Sequence, residues 1–565
     1  MKLFPAHSRT FPVISPGLII IPAIMLFASC SAQIPRIDSV VPQIGRPGET
    51  ITIHGNNFGA QRDESYVTIA GVSPTNSSYI NWQNDHITMK TPELGDTGLI
   101  YVYVKGKKSN GALFSNQANL PKPPQGADFG IGPQIISITP QSAPVGSVIT
   151  ITGNNFGSSR DRSAVFFSWE GAPFLSAPPE TRTAEFIEVS DTEFGYEFWS
   201  EREIRVRIPD GAVSGNMEVR TIRGESRPLF FDVSQRPGTK TFSEKRSYTI
   251  NYSVNIKVDE ASGANTLYLW LPLPVVSSAQ RNIELLSRNT EPFVENFRGS
   301  NLYKMNNLAS KSDVHINLSY KIDVYAIETT VRPQSIRPGT DSAVTVAYTR
   351  PDSLVPSDNP RVIARSNSIV AQERNPYLKA QRIYNWLIND CKFLTDEETG
   401  SPGSPVPPPE TLGALETMRI DSYTAAILFC ALGRAAGIPC IPVSGVLVNR
   451  NRQTYEHYWA EFWVENMGWI PVDPGLGARA LPASFQRQAA AGEDSAAKYF
   501  FGNIDSHRIV FSRGQTNLTQ MEQRGRVMGR TRSYSLQNLW EEAIGGLESY
   551  SSLWGDIIVT GIYAQ

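Results

Sequence analysis

Arg419-Ile-Asp-Ser-Tyr-Thr-Ala-Ala-Ile-Leu-Phe-Cys-Ala-Leu-Gly-Arg-Ala-Ala-Gly437-Ile-Pro439 is apolar on every side from Ala425 to Leu432. A short helix with no polar face belongs at the centre of its domain. Gly437 suits the left-handed backbone that ends a helix, and Pro439 cannot continue one. Downstream, Ile441-Pro-Val-Ser-Gly-Val-Leu-Val448 predicts a buried strand. Then come His457-Tyr-Trp459-Ala-Glu461-Phe-Trp-Val464 and Gly468-Trp469-Ile-Pro-Val-Asp473-Pro474. Upstream, Asn375-Pro376 marks a helix start, with Pro at the first helical position. Ala380, Ile383, Tyr384, Leu387 and Cys391 then recur at helical spacing on one face. A Pro/Gly-rich loop, Gly400 to Pro409, separates the two helices. The pattern predicts an α+β domain built around one buried helix.

Those blocks, in that order, resemble the transglutaminase-like, papain-related family. The family shows a cysteine opening a buried helix, that helix running into Arg-x-x-Gly-Ile-Pro, a His-x-Trp-x-Glu strand and a Trp-x-x-x-Asp-Pro strand. The resemblance extends through Tyr499-Phe-Phe-Gly-Asn-Ile-Asp505. It implies a triad of cysteine, histidine and aspartate, with His457 and Asp473 in the last two roles. Counting back from Gly437, the nucleophile position holds Ser422. Cys430 lies eight residues further along, about 12 Å of helix rise away. A thiolate is stabilised by a helix N-terminus and a nearby imidazolium. A hydroxyl forms no stable alkoxide there and needs proton removal during attack. The resemblance therefore implies a groove with a degenerate triad, binding a peptide or cell-envelope ligand. The alternative is an active hydrolase or acyltransferase using Ser422, His457 and Asp473. Asp421 and Ser422 are also both favoured helix caps. Trp459 and Trp469 are expected in the core or the groove wall, and Glu461 beside a buried polar group.

Working outward, Lys240 to Thr349 alternates as strands do. Tyr248-Thr-Ile250-Asn-Tyr252-Ser-Val254-Asn-Ile256 is one example, and Leu267-Tyr-Leu-Trp-Leu-Pro-Leu-Pro274 is a buried strand closed by prolines. The latter run is similar to the β-module that precedes many bacterial transglutaminase-like cores. Before it the chain repeats itself at an offset of 98 residues. Ile51-Thr-Ile53-His-Gly55-Asn-Asn-Phe58-Gly59 matches Ile149-Thr-Ile151-Thr-Gly153-Asn-Asn-Phe156-Gly157. Alternation predicts a half-buried strand, Gly-Asn-Asn a turn, and the phenylalanine a plug. These units resemble IPT/TIG domains, which are immunoglobulin-like sandwiches serving as spacers or interaction units. In the second unit, Trp169 to Arg202 is an insertion expected to form a surface loop.

The fold class is thus multidomain and mainly β with an α+β core. The expected boundaries are signal peptide 1–29, IPT/TIG domains 33–120 and 132–235, β-sandwich module 240–350, transglutaminase-like domain 360–515 and C-terminal extension 516–565. In the extension, Leu536, Leu539, Trp540, Ala543, Leu547, Tyr550 and Trp554 fall at helical spacing, which predicts an amphipathic helix docked on the core. Arg524, Arg526, Arg530 and Arg532 are expected in a solvated loop.

At the other end, Lys2 and Arg9 precede the apolar run Leu18 to Phe27, about half the length that a spanning helix needs. Leu26-Phe27-Ala28-Ser29-Cys30 resembles a bacterial lipobox, which implies cleavage, lipidation of Cys30 and a membrane partner through the lipid. Three cysteines remain, Cys391, Cys430 and Cys440, so at most one intramolecular disulfide forms. None has zinc-ligand spacing with histidines, and no cofactor or metal is expected. With 52 basic and 54 acidic residues, no global field calls for nucleic acid. The expected place is the cell envelope.

Overall fold

The computed structural model describes residues 34–92, 97–116, 132–171, 185–235, 237–337, 342–394, 411–487, 495–530 and 532–564. The signal segment with Cys30 and the Gly400 to Pro409 loop lie outside these residues. The chain divides into two compact units, 1–120 and 121–565.

In the first unit, strands Arg36–Val41, Thr50–Asn56, His86–Lys90 and Tyr79–Trp82 form one sheet in that order. Strands Ile44–Gly45, Ala112–Asn116, Gly98–Val104 and Tyr66–Ile69 form the facing one. Alternation puts Ile51, Ile53, Val67, Ile87, Ile100 and Val102 wholly inside. The Asn-Asn-Phe-Gly turn works as its residue types predict. Asn57 and Gly59 take φ of 65° and 88°, and Phe58 is fully buried. The indole of Trp82 donates to the Phe58 carbonyl at 2.9 Å.

The second repeat, in the other unit, copies this register. Ile37 pairs Gly55 and Ile135 pairs Gly153, with a bulge two residues later in both. The supposed insertion loop is corrected by the structure: Glu185–Glu188 and Tyr196–Trp199 are strands of the sandwich. Tyr196 and Trp199 do in this repeat what Tyr79 and Trp82 do in the first. A tyrosine hydroxyl accepts from the backbone of Val165 or Val67 at 2.9 Å, with an arginine over its ring. The loss of sequence offset across residues 172–195 hid this match.

This second sandwich is joined firmly to the helical domain of its unit. Its Val145 and Ile208 share a hydrophobic cluster with Val344, Ile441, Trp463 and Trp469 of that domain. Lys240 donates to Asp210 at 2.5 Å, both side chains 7% exposed. Arg513 bridges Glu193 of the sandwich, at 2.5 Å, and Glu461 of the core, at 2.7 Å.

The β-module is an eight-stranded sheet organised on Gly238–Pro272, which pairs Asp313–Val331 along one half and Ser300–Asn306 along the other. The C-terminal extension contains no helix among the described residues, contrary to the helical spacing. Glu541–Trp554 and Ile558–Ala564 are strands added to Gly238–Pro272. The physical reason is an open edge with a row of unpaired backbone groups. Gly545-Gly546, which would weaken a helix, is what this packing requires. Gly545 has φ of +69°, and a Cβ on Gly546 would stand 1.6 Å from the Ser262 carbonyl oxygen. Ala543, Leu547 and Trp554 still face inward, because a twisted, bulged strand buries them against Val254, Ile256, Leu267 and Leu269. Glu542 is fully buried and accepts from the Met521 and Glu522 amides at 2.5 and 2.8 Å. Burial pushes its carboxyl up to about 7.

The last domain is an antiparallel sheet of Gly468–Val472, Thr454–Val464, Cys440–Val448 and Arg508–Arg513, in that order. The Ser422–Ala435 helix lies against it, buried from Thr424 through Arg434. Gly437, at φ of +79°, ends that helix. Pro376–Asn389 starts as expected: the Asn375 side chain accepts from Tyr377 and Leu378 amides at 3.0 and 3.3 Å. Ala380, Ile383, Tyr384 and Leu387 form its buried face.

Candidate functional site

Each of the three sequence-predicted positions sits at the start or middle of an element that fixes it. Ser422 is the first residue of the central helix. Asp421, not Ser422, caps that helix: its carboxylate accepts from the Thr424 amide at 2.8 Å, and Thr424 Oγ1 accepts from the Asp421 amide at 2.9 Å. The capping duty is therefore discharged without the serine. His457 lies within the Thr454–Val464 strand and Asp473 directly after Gly468–Val472, the neighbouring strand.

His457 and Asp473 are brought into contact, and both side chains are fully buried. His457 Nε2 donates to the two carboxylate oxygens at 3.0 and 2.9 Å. Asp473 also accepts from the Leu476 amide at 3.0 Å, which caps the short Pro474–Gly477 helix. Burial alone would raise the Asp473 carboxyl. The His457 ring, its hydrogen bond and the Arg508 guanidinium overcome this and hold it below the usual carboxylate range.

Ser422 joins this pair from the helix side. A Cβ on Gly475 would lie 3.1 Å from His457 Cε1 and 3.5 Å from Ser422 Cβ. Position 475 thus packs against both serine and imidazole, and a side chain there would crowd the ring. The remaining ring nitrogen, Nδ1, is buried and has no hydrogen-bond partner. Among the described residues nothing hydrogen-bonds the Ser422 hydroxyl either.

The cysteines stand elsewhere. Cys391, Cys430 and Cys440 are all buried free thiols. Cys440 packs against Gly433, near the far end of the helix from Ser422. Burial drives the Cys430 thiol well up and pushes Cys391 and Cys440 up to about 12, the opposite of an activated nucleophile.

The sequence reading misses one site residue, Arg508, and places another, Arg532, in a solvated loop. Arg508, on the edge strand, donates to Asp473 at 3.1 Å and to Asp505 at 3.3 Å, with its guanidinium 4.8 Å from the Trp459 ring. Arg532 ion-pairs with the capping Asp421 and stands 4.5 Å over the Tyr423 ring. Neither has a spacing signal, since both arrive from distant segments. Trp459 stacks on His457 at 5.9 Å and is core, as is Trp469. Glu461 serves Arg513.

The transglutaminase-like superfamily model matches residues 363–474. The IPT/TIG model matches residues 35–120 and 133–242. The chain carries two IPT/TIG domains and a transglutaminase-like domain. An uncharacterized protein of Haemophilus influenzae is 26% identical over 167 residues, which are 26% of this chain and 44% of that protein. A cyclomaltodextrin glucanotransferase of Paenibacillus macerans is 33% identical over 84 residues, 14% of this chain and 11% of that one. The chain thus spans less than half the length of either relative. Among solved structures, a candidate cysteine protease from Cytophaga hutchinsonii is 13% identical, covering 58% of this chain and 92% of that one with a TM-score of 0.34.

Proposed function

We propose that this is an exported, lipid-anchored cell-envelope protein whose transglutaminase-like domain binds an extended peptide or cell-envelope polymer without cleaving it. One observation carries the reading: Ser422 faces an intact His457–Asp473 pair with no hydrogen bond to the free Nδ1. A hydroxyl becomes a nucleophile only when a base removes its proton during attack, within hydrogen-bond reach. Arg508 also donates to the Asp473 carboxylate, so His457 does not have that partner to itself. The IPT/TIG domains are spacer or interaction units in this reading. The second is built into the wall of the core rather than tethered to it.

Amine incorporation and peptide hydrolysis by the purified protein are expected to stay at background, and Ser422→Ala to change nothing. A working serine nucleophile would lose about 10⁶-fold in turnover on that change, so the outcomes are easily separated. Turnover in the native protein that Ser422→Ala abolishes would defeat the binding reading. Turnover appearing only in Ser422→Cys would fit a site that has lost its sulfur. The anchor rests on Leu26-Phe-Ala-Ser-Cys30. Cys30→Ala should move the protein from the membrane fraction to the soluble one, and unchanged membrane association would refute lipidation at that residue.

A further inference from the structure

We infer that the groove between two helices of the last domain is a saccharide-binding site, separate from Ser422, His457 and Asp473. It stands on its own residues and holds whether or not Ser422 is catalytic. The helix Pro360–Val370 precedes Pro376–Asn389 in the chain. The first buries Val362, Ser366 and Val370, and the second Ala380, Ile383, Tyr384 and Leu387. Residues three and four apart share a helix face. Arg365, Ser368 and Ile369 thus line the groove from one side, and Arg382, Asn385, Trp386 and Asn389 from the other, with Asp390 at its end. The cleft measures about 350 Å³, and small-molecule sites run from about 300 to 1,000 Å³. Two crevices at the junction of sandwich and core, of about 10 and 30 Å³, have room for no more than one or two waters.

The fold makes little use of the polar lining. Arg382 is committed, donating to the Val370 carbonyl at 2.7 Å and pairing with Glu373. Among the described residues, the side chains of Arg365, Ser368, Asn385, Asn389 and Asp390 make no hydrogen bond or ion pair, and neither does the Trp386 indole N–H. The Arg365 guanidinium stands 5.4 Å from the Trp386 ring centroid. Asp390 ends its helix, where a carboxylate opposes the helix dipole and lowers stability. Arg365 and the indole can only donate, and the Asp390 carboxylate can only accept. The amides of Asn385 and Asn389 and the Ser368 hydroxyl do both. A ligand that satisfies this set must donate and accept within one small volume. A simple anion meets Asp390 and a simple cation meets Arg365, each at a cost. Neighbouring hydroxyls of a sugar meet both demands, and the flat C–H face of a pyranose covers the half-buried indole and Ile369. A peptide backbone also donates and accepts, but a groove between two helices offers it no sheet edge to extend.

The test is isothermal titration of the full-length protein with cellotetraose and with chitotetraose, whose ring substituents are all equatorial. N-acetyl-trialanine amide is the peptide probe. At least one tetrasaccharide is expected to bind about 10-fold tighter than the peptide, or better. Trp386→Leu should weaken that binding by at least about 10-fold, since the platform under the sugar ring is gone. Asp390→Asn should weaken it several-fold while the melting temperature holds or rises, because a negative charge leaves the helix C-terminus. Loss of binding in that variant is then not loss of fold. Heat from neither tetrasaccharide, tighter binding of the peptide, or binding unchanged in both variants overturns the inference. None of these readouts involves turnover, so each leaves the reading of Ser422 to the amine-incorporation and hydrolysis assays.

Discussion

A chain that stops at Trp540 is expected to yield no soluble, folded protein. Residues 541–564 look like a tail in sequence but supply two strands, Glu541–Trp554 and Ile558–Ala564, that complete the β-module. Their removal strips Ala543, Leu547, Trp554, Ile557 and Val559 from a cluster that includes Val254, Ile256, Leu267 and Trp540. Burying a large apolar side chain is worth about 1.5–3 kcal/mol, and truncating a buried tryptophan costs about 3–5. The sum approaches the whole stability of a typical domain, about 5–15 kcal/mol. The loss also bares the edge of Gly238–Pro272 from Arg246 to Leu269, a template for pairing between chains. Trp554 Nε1 donates to Glu541 Oε1 at 2.7 Å, so the two ends of the lost strand also secure one another. Expression of the truncated chain, followed by size-exclusion chromatography and a thermal melt, checks this. A monomer with an unchanged melting temperature would show that the module closes without the strand.

Arg513→Met is expected to destabilise the large unit by about 3–5 kcal/mol. The guanidinium holds Glu461 through Nε and Nη2, at 3.0 and 2.7 Å, and Glu193 through Nη1, at 2.5 Å. Only 14% of the Arg513 side chain is exposed, and 14% and 24% of its partners. The two carboxylates hold the arginine well above its ordinary range against the opposing effect of burial. Without the cation, two acidic groups remain close together and poorly hydrated, which is the situation that makes a broken buried pair expensive. The triple variant Arg513→Met, Glu193→Gln, Glu461→Gln should recover much of the loss, since replacing all the charges removes the mismatch. Calorimetric melting of the three proteins reads both effects. An Arg513→Met protein melting within a degree of the parent would mean that the apolar contact around Trp463 and Trp469 holds the sandwich unaided.

How much of the site was legible depends on distance along the chain. Ser422, His457 and Asp473 are each marked by a local pattern: a buried helix start, an alternating strand and an Asp-Pro strand end. Their partners carry no such mark. Arg508 and Arg532 look like ordinary basic residues near strands and loops, and their roles come from Asp473 and Asp421, which lie 35 and 111 residues away. The helical spacing of Leu536 to Trp554 was a true record of which residues are buried and a false one of how. Periodicity reports burial, and an edge strand with unpaired backbone groups decided the conformation.

By itself, the sequence established the doubled sandwich and the central helix, because each is written in residues close together, where backbone geometry and alternation govern. Only the tertiary structure decided that Asp421 caps the helix in place of Ser422, that an arginine shares the aspartate, that the second sandwich is locked to the core, and that the tail is sheet. Those outcomes turn on which distant groups must neutralise or cover one another, and no local spacing encodes that.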